Sequence, residues 1–210
     1  MSSFWMFVTK DWIFAIPMIL MSISGIALIT WRILLNRGIL LDIENQVETI
    51  KTSLSRDGIK ATINMVSNQK DWLSILLFSS GIKGLANGIP ASRKELNNTV
   101  EFEITPRLHF LLPTMLAIAK ISTMVGLLGT VISMIGTFTK IQEAQGGVSE
   151  QAGSIGLALF ATALGLITAI PLVFAHVLFK AQINDFEIKI KKAIQKFLEM
   201  ALQIKTPLKP

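Results

Sequence analysis

Thr123, Gly126, Thr130, Ser133 and Thr137 follow one another at spacings of three, four, three and four residues. On an α-helix that rhythm puts four hydroxyls and a glycine on one face. The opposite face carries Ile121, Val125, Leu128, Ile132 and Ile135, and no acidic or basic side chain falls between Ile121 and Phe138. Hydroxyls so placed have two uses. They can bond back to carbonyls of their own helix and simply pack. They can also line a polar path, because a hydroxyl donates or accepts a hydrogen bond without holding a charge. A second segment repeats the design. Ala158, Thr162, Gly165 and Ala169 make a small face, with His176 further along it, against Leu157, Phe160, Leu164, Ile167 and Phe174. Ala158 with Thr162, Ala161 with Gly165, and Gly165 with Ala169 are pairs four residues apart that let helices approach closely. Thr130 and Thr162 each fall near the middle of their segment.

What the two segments lack is as informative. Gly153–Phe179, like Ile121–Phe138, contains no Asp, Glu, Lys or Arg. An ionisable group inside the membrane is the usual mark of a proton or ion pathway. If protons move here, the titrating carboxylate comes from another chain. There is no Walker-type glycine loop, no HExxH and no nucleophile–base arrangement, so enzymatic chemistry is not expected. Without cysteine there is no disulfide or thiol chemistry. Neither a metal nor a cofactor is expected.

The elements that hold these faces follow from composition. Of 210 residues 51% are hydrophobic and only 16% charged, below the quarter usual in soluble domains. The apolar residues come in blocks, which marks an all-α membrane protein with three transmembrane helices and long cytoplasmic helical extensions. Residues 1–11 form an outer N-terminal segment. Residues 12–35 make the first span, with Trp12 and Trp31 as interfacial aromatics. Residues 36–120 form a charged helical domain. In it Trp72–Phe78 is too short to cross a bilayer and reads as buried helix, and Gly81, Gly84, Gly88 and Pro90 break the pattern after it. A long helix is predicted over Leu108–Thr139, bent near Pro113, with the second span at 121–139. Residues 140–152 form a polar link with Gly146 and Gly147, 153–179 the third span, and 180–210 a basic tail. In the tail Ile183, Phe186, Ile190, Ile194, Phe197, Ala201 and Ile204 step by three or four, the stripe of an amphipathic helix that packs on neighbouring subunits. His109 has no obvious partner in the sequence. The net charge of +6 flanks apolar segments, so topology explains it better than nucleic acid does. Basic residues crowd the central domain and tail, which places both in the cytoplasm and the N-terminus outside. Lys120 and Lys140 bracket the second span as interfacial anchors.

VGLLGTVISMIGTF together with GSIGLALFATALGLITAIP resembles the paired signature of the MotA/TolQ/ExbB proton-channel family, closest to its ExbB/TolQ branch. The resemblance covers the second and third spans closely and the whole layout of the chain. It implies a pentamer in the bacterial inner membrane with a pore lined by those spans. It also implies a partner of the ExbD/TolR kind, a single-span protein whose membrane aspartate carries the proton. By motif the pore threonines correspond to Thr130 in GLLGT and Thr162 in FATALG. Ser133, Thr137 and Thr123 extend that lining, and Gly126, Ala158, Gly165 and Ala169 pack the helices. The family's plan serves outer-membrane transport, envelope processes or motility.

Three places depart from the branch's pattern. Leu157 stands where a glutamate is common, His176-Val177 replaces Tyr-Asn, and Ser122-Thr123 replaces Ala-Pro. His176 is an interfacial packing residue or a group titrating near neutral pH. Two other functions remain compatible with the same faces: a non-conducting membrane scaffold, and a self-contained small ion transporter.

Overall fold

A computed structural model describes Thr9 and residues 12–37, 43–68, 72–143 and 148–205. The rest of the segment expected over residues 1–11, the link glycines Gly146 and Gly147, and residues 206–210 lie outside the described residues. Every regular element among those described is helical: α1 (Trp12–Arg37), α2 (Ile43–Ser67), α3 (Trp72–Leu85), α4 (Ile89–Thr99), a π-helical turn (Val100–Ile104), α5 (Thr105–His109), α6 (Leu112–Gln142) and α7 (Val148–Lys205). Three stretches, Trp12–Leu35, Ile89–Gln142 and Gln151–Gln203, are long and apolar enough to cross a membrane. The chain is an all-α membrane protein. It divides into two units, one of Met1–Ile33 with Leu111–Phe179 and the other of Leu34–Phe110 with Lys180–Pro210.

The first unit holds α1, α6 and the part of α7 that ends at Phe179. Ala15 and Met18 of α1 are buried with Leu157 and Ala161 of α7, and Phe14, Met21, Val125, Phe160 and Leu164 pack around them. Large apolar residues on the other faces stay exposed, among them Leu20 and Ile23, Met124 and Leu127, and Ile170 and Phe174. That inversion suits lipid, which wets leucine and leaves close packing of small residues to draw helices together. The predicted helix over Leu108–Thr139 is interrupted. α5 ends at His109, the chain turns at Phe110–Leu111, and α6 begins at Leu112 with Pro113 in its first turn. Pro113 thus sits in the first turn of α6, directly after the break at Phe110–Leu111, where its missing N–H costs no helical bond. The third span and the tail, expected as separate segments, are one unbroken helix, because neither Gly nor Pro occurs between Pro171 and Pro207.

In the second unit, Ile183, Phe186, Ile190, Ile194, Phe197 and Ala201 of α7 are all buried. The tail stripe thus packs within its own chain, not on neighbouring subunits as its amphipathicity alone suggested. Leu73, Leu77, Phe78 and Ile82 of α3 are buried too, and the Phe78 ring centroid lies 6.0 Å from that of Phe197. Gly81 and Gly84, expected as breakers, lie inside α3. A Cβ on Gly81 would come within 2.9 Å of the Phe197 ring, and one on Gly84 within 2.5 Å of the Ser92 backbone. They are small because α3 touches its neighbours there, and the turn waits for Ala86–Gly88. Gly58, at φ 74°, interrupts α2 in a conformation that side chains with a Cβ rarely adopt. His109 does have a partner: its Nε2 lies 3.1 Å from Glu187 Oε1. The Arg107 guanidinium sits 5.5 Å above the Trp72 ring, a cation–π contact.

Ser92 gives a modest test of this unit. Its buried hydroxyl donates to the Gly81 carbonyl at 2.7 Å. Ser92→Ala is expected to cost about 1 kcal/mol, read as a lowered thermal midpoint of the full chain in detergent.

Candidate functional site

α6 and α7 run antiparallel in the first unit. The contact begins at His176, whose Nδ1 lies 3.0 Å from the Leu112 carbonyl. A carbonyl only accepts, so Nδ1 is the donor. His176 thus fastens α7 to the first turn of α6, a packing role.

Further along, side chains vanish from the interface. A Cβ on Gly165 would lie 2.7 Å from the Ser122 carbonyl oxygen and 3.3 Å from Gly126 Cα; one on Gly126 would lie 3.1 Å from the Ala161 carbonyl oxygen. Backbone meets backbone at this crossing. The buried face of α6 runs Ala119, Ser122, Gly126, Gly129 and Thr137, while Thr130 and Ser133 are half-buried and Thr123 is exposed. It is the predicted stripe rotated slightly toward Ser122 and Gly129. On α7, Ala158, Ala161, Gly165 and Ala169 are buried and Thr162 is half-buried. Gly129 was not legible as a contact residue; its one signal is its spacing of three from Gly126 within the same stretch.

The hydroxyls divide into two kinds. Ser122, Thr123, Thr137 and Thr168 each donate to the carbonyl four residues back in their own helix, at 2.8–3.1 Å. Thr162 instead reaches across. Its Oγ1 lies 3.2 Å from the Gly126 carbonyl of α6 and in contact with the Thr130 hydroxyl, which itself lies 3.2 Å from that carbonyl. Two hydroxyls and one carbonyl therefore converge where the helices are closest. The two O–H protons suffice for a chain in which one hydroxyl donates to the other and that one donates to Gly126. The first oxygen keeps lone pairs for an acid proton. Rotating its O–H outward makes it a donor to a carboxylate instead. The pair can thus serve both protonation states of one carboxyl group and never be charged.

Toward the link between α6 and α7 the helices part around a cleft of about 180 Å³, bordered by Ser133, Thr137, Lys140, Ser154 and Leu157. Leu157 belongs at the same time to the apolar cluster with Ala161, so it adjoins both the cleft and that cluster. Lys120 and Lys140 are both exposed. Among the described residues no group of three or more His, Asp or Glu could hold a metal ion.

Comparison with known proteins gives two findings. The model of the MotA/TolQ/ExbB proton channel family matches residues 77–192, just over half the chain and all of the α6–α7 interface. The chain is also 26% identical over 188 residues to the Tol-Pal system protein TolQ of Haemophilus influenzae, a match spanning 82% of each chain.

Proposed function

The chain belongs to the MotA/TolQ/ExbB proton channel family, and we propose that it is the stator-like subunit of a proton-driven inner-membrane complex. In this reading several copies surround a pore. A single-span partner of the ExbD/TolR kind stands in it and brings a membrane carboxylate past Thr130 and Thr162. The likeness to a Tol-Pal system protein supports a TolR-like partner and an envelope process as the work performed. The basic central domain and tail support a periplasmic N-terminus and a cytoplasmic C-terminus.

The observation that carries the proposal is the hydrogen bond from Thr162 across to Gly126, beside Thr130. A hydroxyl that only packed would bond back along its own helix, as Ser122, Thr123, Thr137 and Thr168 do; Thr130 also bonds back to Gly126, and Thr162 reaches across to join it there. These form a neutral relay between helices that hold no charge of their own. Neutrality matters energetically. A fixed charge at mid-span costs roughly 2.5–3.5 kcal/mol on insertion scales, while a proton crossing 100 mV releases about 2.3 kcal/mol. A neutral hydroxyl pair avoids that insertion cost, and it holds no fixed cation that would attract the partner carboxylate. The cleft by Ser133, Thr137 and Ser154 supplies a polar approach from the link side, and Lys140 at its edge sets the local field. The subunit performs no covalent chemistry; it guides a proton and turns its passage into movement of the partner.

The test is purification of the full chain from its native membrane under gentle extraction. A single-span protein with a membrane aspartate is expected to co-purify. Proton flux in reconstituted vesicles is expected to need that aspartate. Flux through the chain alone would favour a self-contained transporter. An intact complex without flux would favour a scaffold.

A further inference from the structure

The second unit carries an exposed aromatic between two acids and, elsewhere, a groove of complementary chemistry. The π-helical turn Val100–Ile104 presents Phe102, 70% exposed, between the exposed carboxylates Glu101 and Glu103. A single exposed phenylalanine means little by itself. On the same unit, α4 and α7 enclose an open groove of about 460 Å³. Its floor is apolar, with Ile194 and Leu198 buried and Leu202 52% exposed. Arg93 and Lys191 line it as cations, and the one acid there, Glu199, already accepts a hydrogen bond from Gln195 at 3.1 Å.

The two features lie on opposite flanks of α4. Arg93 and Asn97 border the groove, whereas Glu95 and Thr99 border a separate cleft that also includes Glu103. Residues two apart on a helix point to nearly opposite sides at 3.6 residues per turn. An aromatic flanked by two acids on one side, and an apolar floor flanked by two bases on the other, are the complementary halves of a head-to-tail contact. A head-to-tail contact of this kind, repeated, builds a ring when the rotation between copies closes. We propose that Glu101–Phe102–Glu103 of one subunit seats in the Arg93–Lys191–Leu198–Leu202 groove of the next copy. The inference rests on the homo-oligomer of the reading above and names the surfaces that join it in the second unit.

The natural chain has no cysteine, so introduced cysteines report one contact at a time. Two differently tagged full-length chains, one Phe102→Cys and one Leu202→Cys, are co-expressed, and isolated membranes are oxidised. The expected product is a disulfide-linked pair carrying both tags. It should be absent from either variant alone, and absent when Lys94→Cys, on the exposed outer face of α4, replaces Phe102→Cys. Arg93→Glu with Lys191→Glu on the Leu202→Cys chain should lower the yield severalfold. Adding Glu101→Lys with Glu103→Lys to the other chain should restore it. No mixed product from chains whose wild type runs at multimeric mass overturns the contact while the oligomer stands. Equal yield with Lys94→Cys overturns it too. A wild type of single-copy mass would remove the oligomer itself.

Discussion

Thr162→Val is expected to cut proton-driven work about ten- to a hundredfold while the complex still assembles. Valine keeps the shape of threonine and removes one hydroxyl. The fold loses little, about 1 kcal/mol for a neutral hydrogen bond, because Thr130 retains its own bond to the Gly126 carbonyl. Function loses more, since a hydrogen bond to a charged group is worth about 1.5–3 kcal/mol and every 1.4 kcal/mol is tenfold. Thr162→Ser keeps the oxygen and should keep most of the flux. The measurements are proton flux in vesicles holding chain and partner, and the mass of the extracted complex. Unchanged flux in the valine variant would remove Thr162 from the proton's route. Loss of assembly would assign the hydroxyl to packing.

Gly165→Ala is expected to do broader damage with a single methyl group. The new Cβ would stand 2.7 Å from the Ser122 carbonyl oxygen and 3.3 Å from Gly126 Cα. Both are backbone, so no side chain can rotate away. The helices must separate, at the 1–3 kcal/mol typical of overpacking. Separation also lengthens the bond from Thr162 to Gly126, already 3.2 Å, one turn away. Thermal stability in detergent and proton flux should therefore fall together. Gly156→Ala is the control, because a Cβ there meets nothing within 4 Å; its stability should hold or rise slightly, alanine being the better helix former. Equal loss in both variants would mean the damage reflects glycine's general role in these helices, not this crossing.

The spans, the charged unit between them and the two small faces were legible in the sequence because each is a periodic or compositional signal. Thr130 and Thr162 were legible as mid-span hydroxyls. Which of them reaches across was not, since that depends on the register of two helices, and register is set by contacts between distant residues. The glycines of α3 show the same limit. Gly81 and Gly84 read locally as breakers, yet their reason is the Phe197 ring and the Ser92 backbone. His109 and Glu187 lie 78 positions apart, beyond any local pattern. The tail stripe announced that a face is buried and pointed to neighbouring subunits; it packs instead against the chain's own α3 and its neighbours.

The crossing of α6 and α7 makes the proposed relay conditional on packing. The relay is no property of either helix alone; it exists only while Gly126 and Gly165 let the two backbones touch. A newly inserted or damaged subunit whose helices have drifted apart has no relay to offer. On the proposed function, a fault in packing would therefore take away the relay together with the crossing that forms it.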